Sequence, residues 1–302
     1  MQVKSQSICK SVRQFVTIPF FNTAELVTFV WLDFSQRERY FSLYSTPPGC
    51  LLDEEGWYSV TPERLADQIA ERCRCDTIVD AFCGVGGNAI AFAKTCQRGE
   101  SSLSRAFQMP IDGHSWNLVI ALDTSPTRLA LARHNAQIYG VADRIEFILT
   151  DYLTFIKSYL SIPSTSDQNS AISNNARKID VVFLSPPWGG PSYLSGSPSK
   201  PSSTLVVEHP PYSLSSIQPI HGAELFDLTR TITKNIAYYL PRNTRLDEIS
   251  SLVSEEQLRT GRATSTSSET EKIEVEEEWM GNKLKAVTCY FGGLVQGQEG
   301  IF

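Results

Sequence analysis

A short proline-rich stretch after an apolar run has the residue types needed to hold a flat amine. The run Asp180–Leu184 is apolar and largely β-branched, which predicts a buried strand. Pro186 and Pro187 end this strand because proline cannot donate to the hydrogen-bond ladder. The carbonyls of Ser185 and Pro186 can then accept N–H bonds from a ligand while the indole of Trp188 stacks on its ring. The stretch therefore predicts a site for a nucleobase or a similarly flat amine.

A glycine-rich turn provides a second candidate site. Asp80–Asn88 reads Asp-Ala-Phe-Cys-Gly-Val-Gly-Gly-Asn and lies between a predicted strand and a predicted helix. Glycines at such a turn let a ligand approach the backbone closely. The turn alone is weak support for a cofactor site, because similar turns occur in many proteins.

Three acidic residues strengthen this interpretation, since Asp80, Asp123 and Asp151 each end a predicted strand. Acids at this edge can bind ribose hydroxyls, but three of them would repel a pyrophosphate. They suit a ligand that carries ribose, adenine and positive charge, as S-adenosylmethionine does. The charge thus favours a methyltransferase over a nicotinamide-dependent dehydrogenase. Each acid by itself could instead cap the loop or helix that follows it.

Composition limits the classes of partner. The 302 residues carry a formal net charge of −6, which argues against a general nucleic-acid coat, so any RNA contact must be local. The seven cysteines are scattered and odd in number, which indicates reduced thiols. Cys73 and Cys75 have poor spacing for zinc, and no metal is predicted. No apolar segment reaches the ~18 residues of a membrane span.

Alternating strand and helix patterns predict an α/β fold with a mainly parallel, doubly wound sheet and ligands at the carboxyl ends of its strands. Lys272–Trp279 and Lys283–Phe291 predict a C-terminal antiparallel hairpin that turns at Gly281-Asn282. The other predicted strands are Thr77–Ala81, Leu118–Leu122, Ile145–Leu149 and Ile179–Leu184. The predicted helices are 62–72, Asn88–Lys94, Pro126–Tyr139, Tyr152–Leu160 and Ala223–Ala237, the last running into a strand at Ile236–Leu240.

Three regions follow from these patterns. Residues 1–33 have no clear period and form an unassigned leader, residues 34–60 are rich in aromatic and charged residues, and residues 61–302 form the main domain. Flexible polar insertions are expected near 97–116, 161–177, 192–218 and 260–272.

Several of these motifs together resemble the trimethylguanosine synthase family, which hypermethylates the 7-methylguanosine cap of small nuclear and nucleolar RNAs. The Ser-Pro-Pro-Trp-Gly-Gly-Pro string is close to diagnostic of it. The resemblance covers most of 34–295 and is carried by Glu55–Glu63, Asp80–Asn88, Leu129–Gly140, Asp180–Pro191, Leu240–Asn243, Asn282–Lys285 and Tyr290–Gly292. It implies a Rossmann-like class I methyltransferase fold with a small helical N-terminal lobe, residues 34–60, over the active site.

The resemblance also implies roles for single residues. S-adenosylmethionine would be the methyl donor, held by Ser59, Thr61, Asp80, Gly84, Asn88, Asp123 and Asp151. The catalytic residues would be Ser185, Pro186 and Trp188, which orient the acceptor amine and stack on the cap base. In the helical lobe Phe34, Arg37 and Arg39 would contact the cap, although this stretch matches the family less well.

The physics of the cap agrees with this assignment. A 7-methylated guanine is cationic, so stacking on Trp188 gains a cation–π energy of roughly 1–2 kcal/mol when desolvated. Further basic residues could guide the triphosphate and RNA, although a solvated surface position is the default for each: Arg177, Lys178, Lys200, Arg242, Lys283 and Lys285.

The implied partners are 7-methylguanosine-capped small nuclear and nucleolar RNA and ribonucleoprotein core proteins, with no membrane and a monomeric chain. RNA processing in the nucleus, in nucleoli or related bodies, is the implied setting, with the cytoplasm as a second compartment. Two alternatives stay open. An adenine or glutamine amide N-methyltransferase would use a similar proline-proline-aromatic clamp, and a non-catalytic cap-binding module could keep the same fold.

Overall fold

The computed structural model describes residues 34–95, 118–161, 178–189, 211–259 and 271–295. Within them the strands are β1 Thr77–Asp80, β2 Leu118–Asp123, β3 Ile145–Leu149, β4 Val181–Leu184, β5 Ile236–Pro241, β6 Glu274–Met280 and β7 Lys283–Tyr290. The helices are α1 Arg37–Tyr40, α2 Glu54–Ser59, α3 Glu63–Arg72, α4 Gly87–Thr95, α5 Pro126–Ile138, α6 Tyr152–Ser161, α7 Gly222–Arg230 and α8 Leu246–Arg259.

The strands form one sheet in the order β3-β2-β1-β4-β5-β7-β6. Strands β1 to β5 pair in parallel, whereas β7 is antiparallel to both β5 and β6. The predicted Rossmann-like class I methyltransferase fold, with its doubly wound sheet and C-terminal antiparallel hairpin, is confirmed. Because β1 to β4 are parallel, their carboxyl ends meet at one edge of the sheet.

Successive side chains of the central strands face opposite sides of the sheet and fill two hydrophobic layers. Ile78, Val119 and Phe183 belong to the layer under α3, α4 and α5. Val79, Leu122 and Val182 belong to the layer under α6, α7 and α8. Strands β4 and β5 are buried along their whole length, as expected for central parallel strands covered on both faces.

Local signals set most helix ends. Ser125 caps α5 by accepting the Arg128 N–H, and Pro126 occupies the first helical position. Gly140 follows the end of α5 at φ +67°. Helix α3 begins at Glu63 with Pro62 as its N-cap residue, one position later than predicted.

Two predictions about elements were wrong, and one helix was missed. The predicted helix 223–237 ends at Arg230, and the chain turns before entering β5. Helix α8 was not predicted. Residues 211–218 were expected to be part of a flexible insertion, yet Leu214 and Ile217 are buried in the core. Glu248 holds this segment by accepting the Leu214 N–H at 2.7 Å.

The other predicted insertions and the leader lie mainly outside the described residues: 1–33, 97–116, 162–177, 192–210 and 260–270. The helices α1 and α2 lie within the predicted lobe of residues 34–60. No helix in the described part of the chain is long and apolar enough to cross a membrane.

Candidate active site

A cleft of about 670 Å³ lies at the carboxyl ends of β1 to β4. Its walls are the glycine turn after β1, the end of α2 and the segment after β4. Ten of the predicted site residues line it: Arg39, Ser59, Thr61, Gly84, Asn88, Asp123, Asp151, Ser185, Pro186 and Trp188. Both halves of the predicted site thus share one cleft.

The glycine turn needs glycine at two positions for different reasons. Gly84 has φ +52° with open space beside it, and its N–H donates to Asp123 Oδ2 at 3.0 Å. Gly86 has φ +92°, and a Cβ there would come within 3.0 Å of the Cβ of Ala132 on α5. The turn therefore rests directly on α5 and leaves backbone exposed toward the cleft.

The three acids are staggered by the register of the sheet. Asp80 is level with Ala121, two residues before Asp123, and Asp123 is level with Leu149, two residues before Asp151. Each acid therefore projects further from the sheet than the one before. Asp80 is fully buried, Asp123 is half-buried and Asp151 lies at the rim.

Their protonation follows their depth. Burial raises the pKa of Asp80 to about 7, and the negative charge of Asp123 adds to this rise. Burial also raises the pKa of Asp123, although the N–H groups of Ser125 and Gly84 and the charge of Arg128 oppose it. The hydroxyl and N–H of Thr154 lower the pKa of Asp151, which thus also caps α6. Asp80 lies beneath the turn and is not among the residues that line the cleft.

Asn88 and Thr61 form a polar pair between the turn and the segment after α2. Asn88 Nδ2 donates to Thr61 Oγ1 at 3.0 Å, and the Oδ1 atom of Asn88 is buried without a hydrogen-bond partner among the described residues. The hydroxyl of Ser59 donates to the Glu55 carbonyl within α2 at 2.7 Å. An unsatisfied acceptor beside acidic side chains fits a cationic ligand with N–H groups, such as the ammonium group of S-adenosylmethionine.

Trp188 lies at the other end of the cleft. Its indole is half-buried and packs on Tyr239 of β5, with ring centroids 5.2 Å apart and an interplanar angle of 31°. Ser185 Oγ donates to the Phe82 carbonyl at 3.5 Å, a long bond that links this segment to the glycine turn. Pro186 is buried. The indole of Trp188 and the rigid segment Ser185–Pro187 thus line the same cleft as the glycine turn.

Two residues of the N-terminal lobe are not brought to the cleft. Phe34 packs on Trp57 and Tyr44, at ring-centroid distances of 5.7 and 6.3 Å, and the guanidinium of Arg37 lies 4.8 Å from the centre of the Phe34 ring. Neither residue lines the cleft, and their contact with the cap stays a prediction. They belong to an aromatic cluster within the lobe, and Arg39 alone of the three reaches the cleft.

Sequence reasoning missed several residues of the site. Tyr239 under the indole sits in a run of apolar strand residues that gives no sign of a site. Arg128 lines the cleft and forms ion pairs with Asp53 at 3.2 Å and with Glu55, which ties α5 to α2. Its position on the helix after Asp123 was the only available signal. Of the six basic residues predicted as possible guides for phosphates, Arg242, Lys283 and Lys285 line the cleft and Lys178 does not, whereas residues 177 and 200 lie outside the described part of the chain.

Comparison with known proteins agrees with the predicted family. The family model for RNA cap guanine-N2 methyltransferase matches residues 75–294. A curated relative, trimethylguanosine synthase of Schizosaccharomyces pombe, is 35% identical over 206 residues, which cover 67% of this chain and 66% of the relative. Trimethylguanosine synthase of Saccharomyces cerevisiae is 30% identical over 219 residues, which cover 71% of this chain and 55% of the relative. This chain thus spans less than two thirds of the length of either relative.

Among solved structures, the chain is similar to an O-methyltransferase from Bacillus cereus in complex with SAH, at 11% identity and a TM-score of 0.42 over 91% of this chain and 94% of that chain. A similarity this low adds nothing to the family assignment. The family model by contrast spans the sheet from before β1 to the end of β7. The chain belongs to the RNA cap guanine-N2 methyltransferase family.

Proposed function

We propose that this protein transfers methyl groups from S-adenosylmethionine to the exocyclic 2-amino group of 7-methylguanosine RNA caps, giving 2,2,7-trimethylguanosine caps. The observation that carries the proposal is the position of Trp188. Its half-buried indole lies on Tyr239 in the same cleft as the glycine turn and Asp123. A flat cationic base against this indole would have its edge near the donor end.

The end of the cleft that holds the methyl donor, the donor end, would be formed by Ser59, Thr61, Gly84, Asn88, Asp123 and Asp151. Asp80 would support it from its buried position beneath the turn. S-adenosylmethionine supplies an activated methyl group on a good leaving group. The protein then needs mainly to bring the amine and the methyl carbon into line, since alignment accounts for much of the rate.

The acceptor end would use Ser185, Pro186 and Trp188. The carbonyls of Ser185 and Pro186 orient the amine by accepting its N–H bonds, and Trp188 holds the ring. No strong base is needed, because the proton can leave after the methyl has been transferred. Histidine is a common base in enzymes, but His134 does not line the cleft, and its ring bonds the Gly49 carbonyl at 2.9 Å.

The basic residues Arg39, Arg242, Lys283 and Lys285 support an RNA cap as the acceptor. Although the chain has a net charge of −6, these basic residues all line the cleft and so concentrate positive charge there. Small nuclear and nucleolar RNAs are the proposed substrates, with ribonucleoprotein core proteins as partners and the nucleus as the place of action. The curated relatives are trimethylguanosine synthases, which supports this choice.

Mass spectrometry of a 7-methylguanosine cap dinucleotide, incubated with the protein and S-adenosylmethionine, tests the proposal. We expect products heavier by one and two methyl groups, and little product from an unmethylated guanosine cap. Adenosine and a glutamine peptide serve as competing acceptors. Methylation of either one in place of the cap would favour an amide or adenine methyltransferase. Cap binding without donor binding, measured by calorimetry, would favour a non-catalytic module.

A further inference from the structure

Asn135 is a fully buried polar residue that the proposed chemistry does not use. It lies near the end of α5, within the Leu129–Gly140 motif, and has 0% of its surface exposed. A buried amide needs hydrogen-bond partners, because leaving it unsatisfied costs about 1–3 kcal/mol. Its partners therefore show what it holds in place.

The side chain of Asn135 binds two segments that are far apart in the sequence. Its Oδ1 accepts the Leu51 N–H at 2.7 Å, and its Nδ2 donates to the Leu51 carbonyl at 2.9 Å. The same Nδ2 donates to the Val85 carbonyl at 2.9 Å. Leu51 leads into α2, whereas Val85 is the middle residue of the glycine turn. Asn135 thus joins the N-terminal lobe to the donor end of the cleft.

This set of partners demands a primary amide. One acceptor and two donors are needed, and a carboxylate would place oxygen against two carbonyls. An apolar side chain would leave the N–H of Leu51 and the carbonyls of Leu51 and Val85 without this partner. The three bonds also fix the orientation of the amide, because the reversed amide would point its oxygen at both carbonyls.

Three contacts hold the glycine turn near this point, two from the segment 51–61 and one from α5. A Cβ on Gly56 of α2 would come within 2.9 Å of Val85 Cγ1, and a Cβ on Gly86 would meet Ala132 at 3.0 Å. Asn88, after the last glycine of the turn, bonds Thr61, which follows α2. The segment 51–61 therefore lies against the turn from Val85 to Asn88, with Asn135 as its buried anchor.

We infer that Asn135 is a positioning residue for the methyl donor, setting the segment 51–61 and the glycine turn at the spacing that the donor requires. This inference rests on the proposed function of the cleft. Asn135 touches no cleft surface itself and acts through Leu51 and Val85. Its effect should fall mainly on the donor, because Asn135 bonds Leu51 and Val85 directly, whereas the acceptor segment after β4 reaches the glycine turn through the long Ser185–Phe82 bond.

The first test compares Asn135→Ala with His134→Ala. His134 is the matched control, since its ring bonds Gly49 in the lobe but makes no bond to the turn. We expect Asn135→Ala to raise the KM for S-adenosylmethionine about tenfold, with the KM for a cap analogue changed by less than about twofold. His134→Ala should leave both constants close to wild type. An equal loss for donor and cap, or no change in donor KM, would overturn the inference.

A second variant covers the case in which Asn135→Ala does not fold. Gly56→Ala leaves Asn135 intact but places a methyl group against Val85 Cγ1 and Asp53 Oδ1, each at 2.9 Å, at a position that itself lines the cleft. It should raise the donor KM selectively, and an unchanged donor KM would count against the inference.

Hydrogen exchange of the ligand-free protein gives a readout that needs no activity. The amides of Leu51 and of residues 84–88 should exchange faster in Asn135→Ala than in His134→Ala. If the wild type binds no S-adenosylhomocysteine, the proposed function fails. If it binds and the exchange at these amides is the same in both variants, only the role of Asn135 fails.

Discussion

At the scale of single residues, the indole of Trp188 decides how the acceptor end works. The ring packs on Tyr239 at an interplanar angle of 31°, and the half-buried side chain also lines the cleft. Tyr239 thus fixes the plane in which a base would have to lie. Because the indole is already held in place, it loses little conformational entropy when a base binds, so most of the stacking energy contributes to affinity.

Trp188→Ala should weaken the binding of a 7-methylguanosine cap analogue by about tenfold or more, because base stacking on an aromatic is worth about 1–3 kcal/mol. Calorimetry with the analogue and, separately, with S-adenosylhomocysteine measures the two ends of the cleft. Binding of S-adenosylhomocysteine should stay within about twofold of wild type, since the donor site lies on other segments.

Trp279→Ala is the matched control for this change. Trp279 lies on β6 with 49% of its surface exposed and does not line the cleft. It should bind the cap analogue as the wild type does. Normal cap affinity in Trp188→Ala would exclude the stacking role.

At the scale of elements, the glycine turn works because it is fitted to α5. Gly86 and Gly140 both have positive φ, but only Gly86 lies against a neighbouring helix. At Gly140, after the end of α5, a Cβ would meet nothing within 4 Å, so the space there is open. A substitution at Gly140 therefore introduces backbone strain alone, whereas a substitution at Gly86 adds crowding against Ala132.

Gly86→Ala and Gly140→Ala should both destabilise the fold by about 1 kcal/mol through the unfavourable φ. Gly86→Ala should in addition weaken S-adenosylhomocysteine binding, because its methyl group pushes the turn away from Ala132. Thermal unfolding and calorimetry on both variants check this. Equal donor binding in the two variants would show that the turn tolerates the displacement.

The elements differ in how well the sequence predicts them. Strand β3 and helix α5 were predicted within one residue, because an apolar run and a Ser-Pro start with a glycine end are local signals. The segment 211–218 was mistaken for a flexible stretch because serine and proline dominate it. Its order depends on Glu248 of α8 and on burial of Leu214 and Ile217, which are contacts distant in the sequence.

The residues of the site also divide into those that local motifs predict and those that depend on tertiary contacts. The motifs after β1 and β4 predicted both ends of the cleft, since parallel strands bring their carboxyl ends together. The sequence did not predict the aromatic cluster that holds Phe34 and Arg37 away from the cleft lining, because the path of the lobe depends on how its aromatic residues pack with one another. Tyr239 and Asn135 were missed because their roles arise only from tertiary contacts.

At the scale of the whole molecule, two buried acids give the fold a definite pH dependence. Glu278 of β6 is fully buried, and Thr288 donates to its Oε1 at 2.5 Å. Burial raises the pKa of Glu278 to about 7, with the nearby charge of Glu276 adding to the rise and Arg72 opposing it. Burial likewise raises the pKa of Asp80 to about 7. Both groups hold a proton in the folded state at a pH where the unfolded chain has lost it.

The free energy of unfolding should therefore fall as the pH rises from about 4.5 to about 7, because the folded state binds more protons than the unfolded state in this range. Glu278→Gln removes one of the two groups and should flatten the fall. At pH 8 it should be more stable than wild type by at most about 3 kcal/mol, since one pKa unit corresponds to about 1.4 kcal/mol. Near pH 4 the two proteins should differ little, because Glu278 is then protonated in both states.

Urea unfolding of wild type, Glu278→Gln and the control Glu277→Gln across this pH range measures the effect. Glu277 is the exposed neighbour on the same strand, so its variant should follow the wild-type curve. A Glu278→Gln curve parallel to the wild-type curve would mean that Glu278 is ionised in the fold. In that case Arg72, whose guanidinium already lies between Glu274 and Glu276, would have to neutralise a third carboxylate.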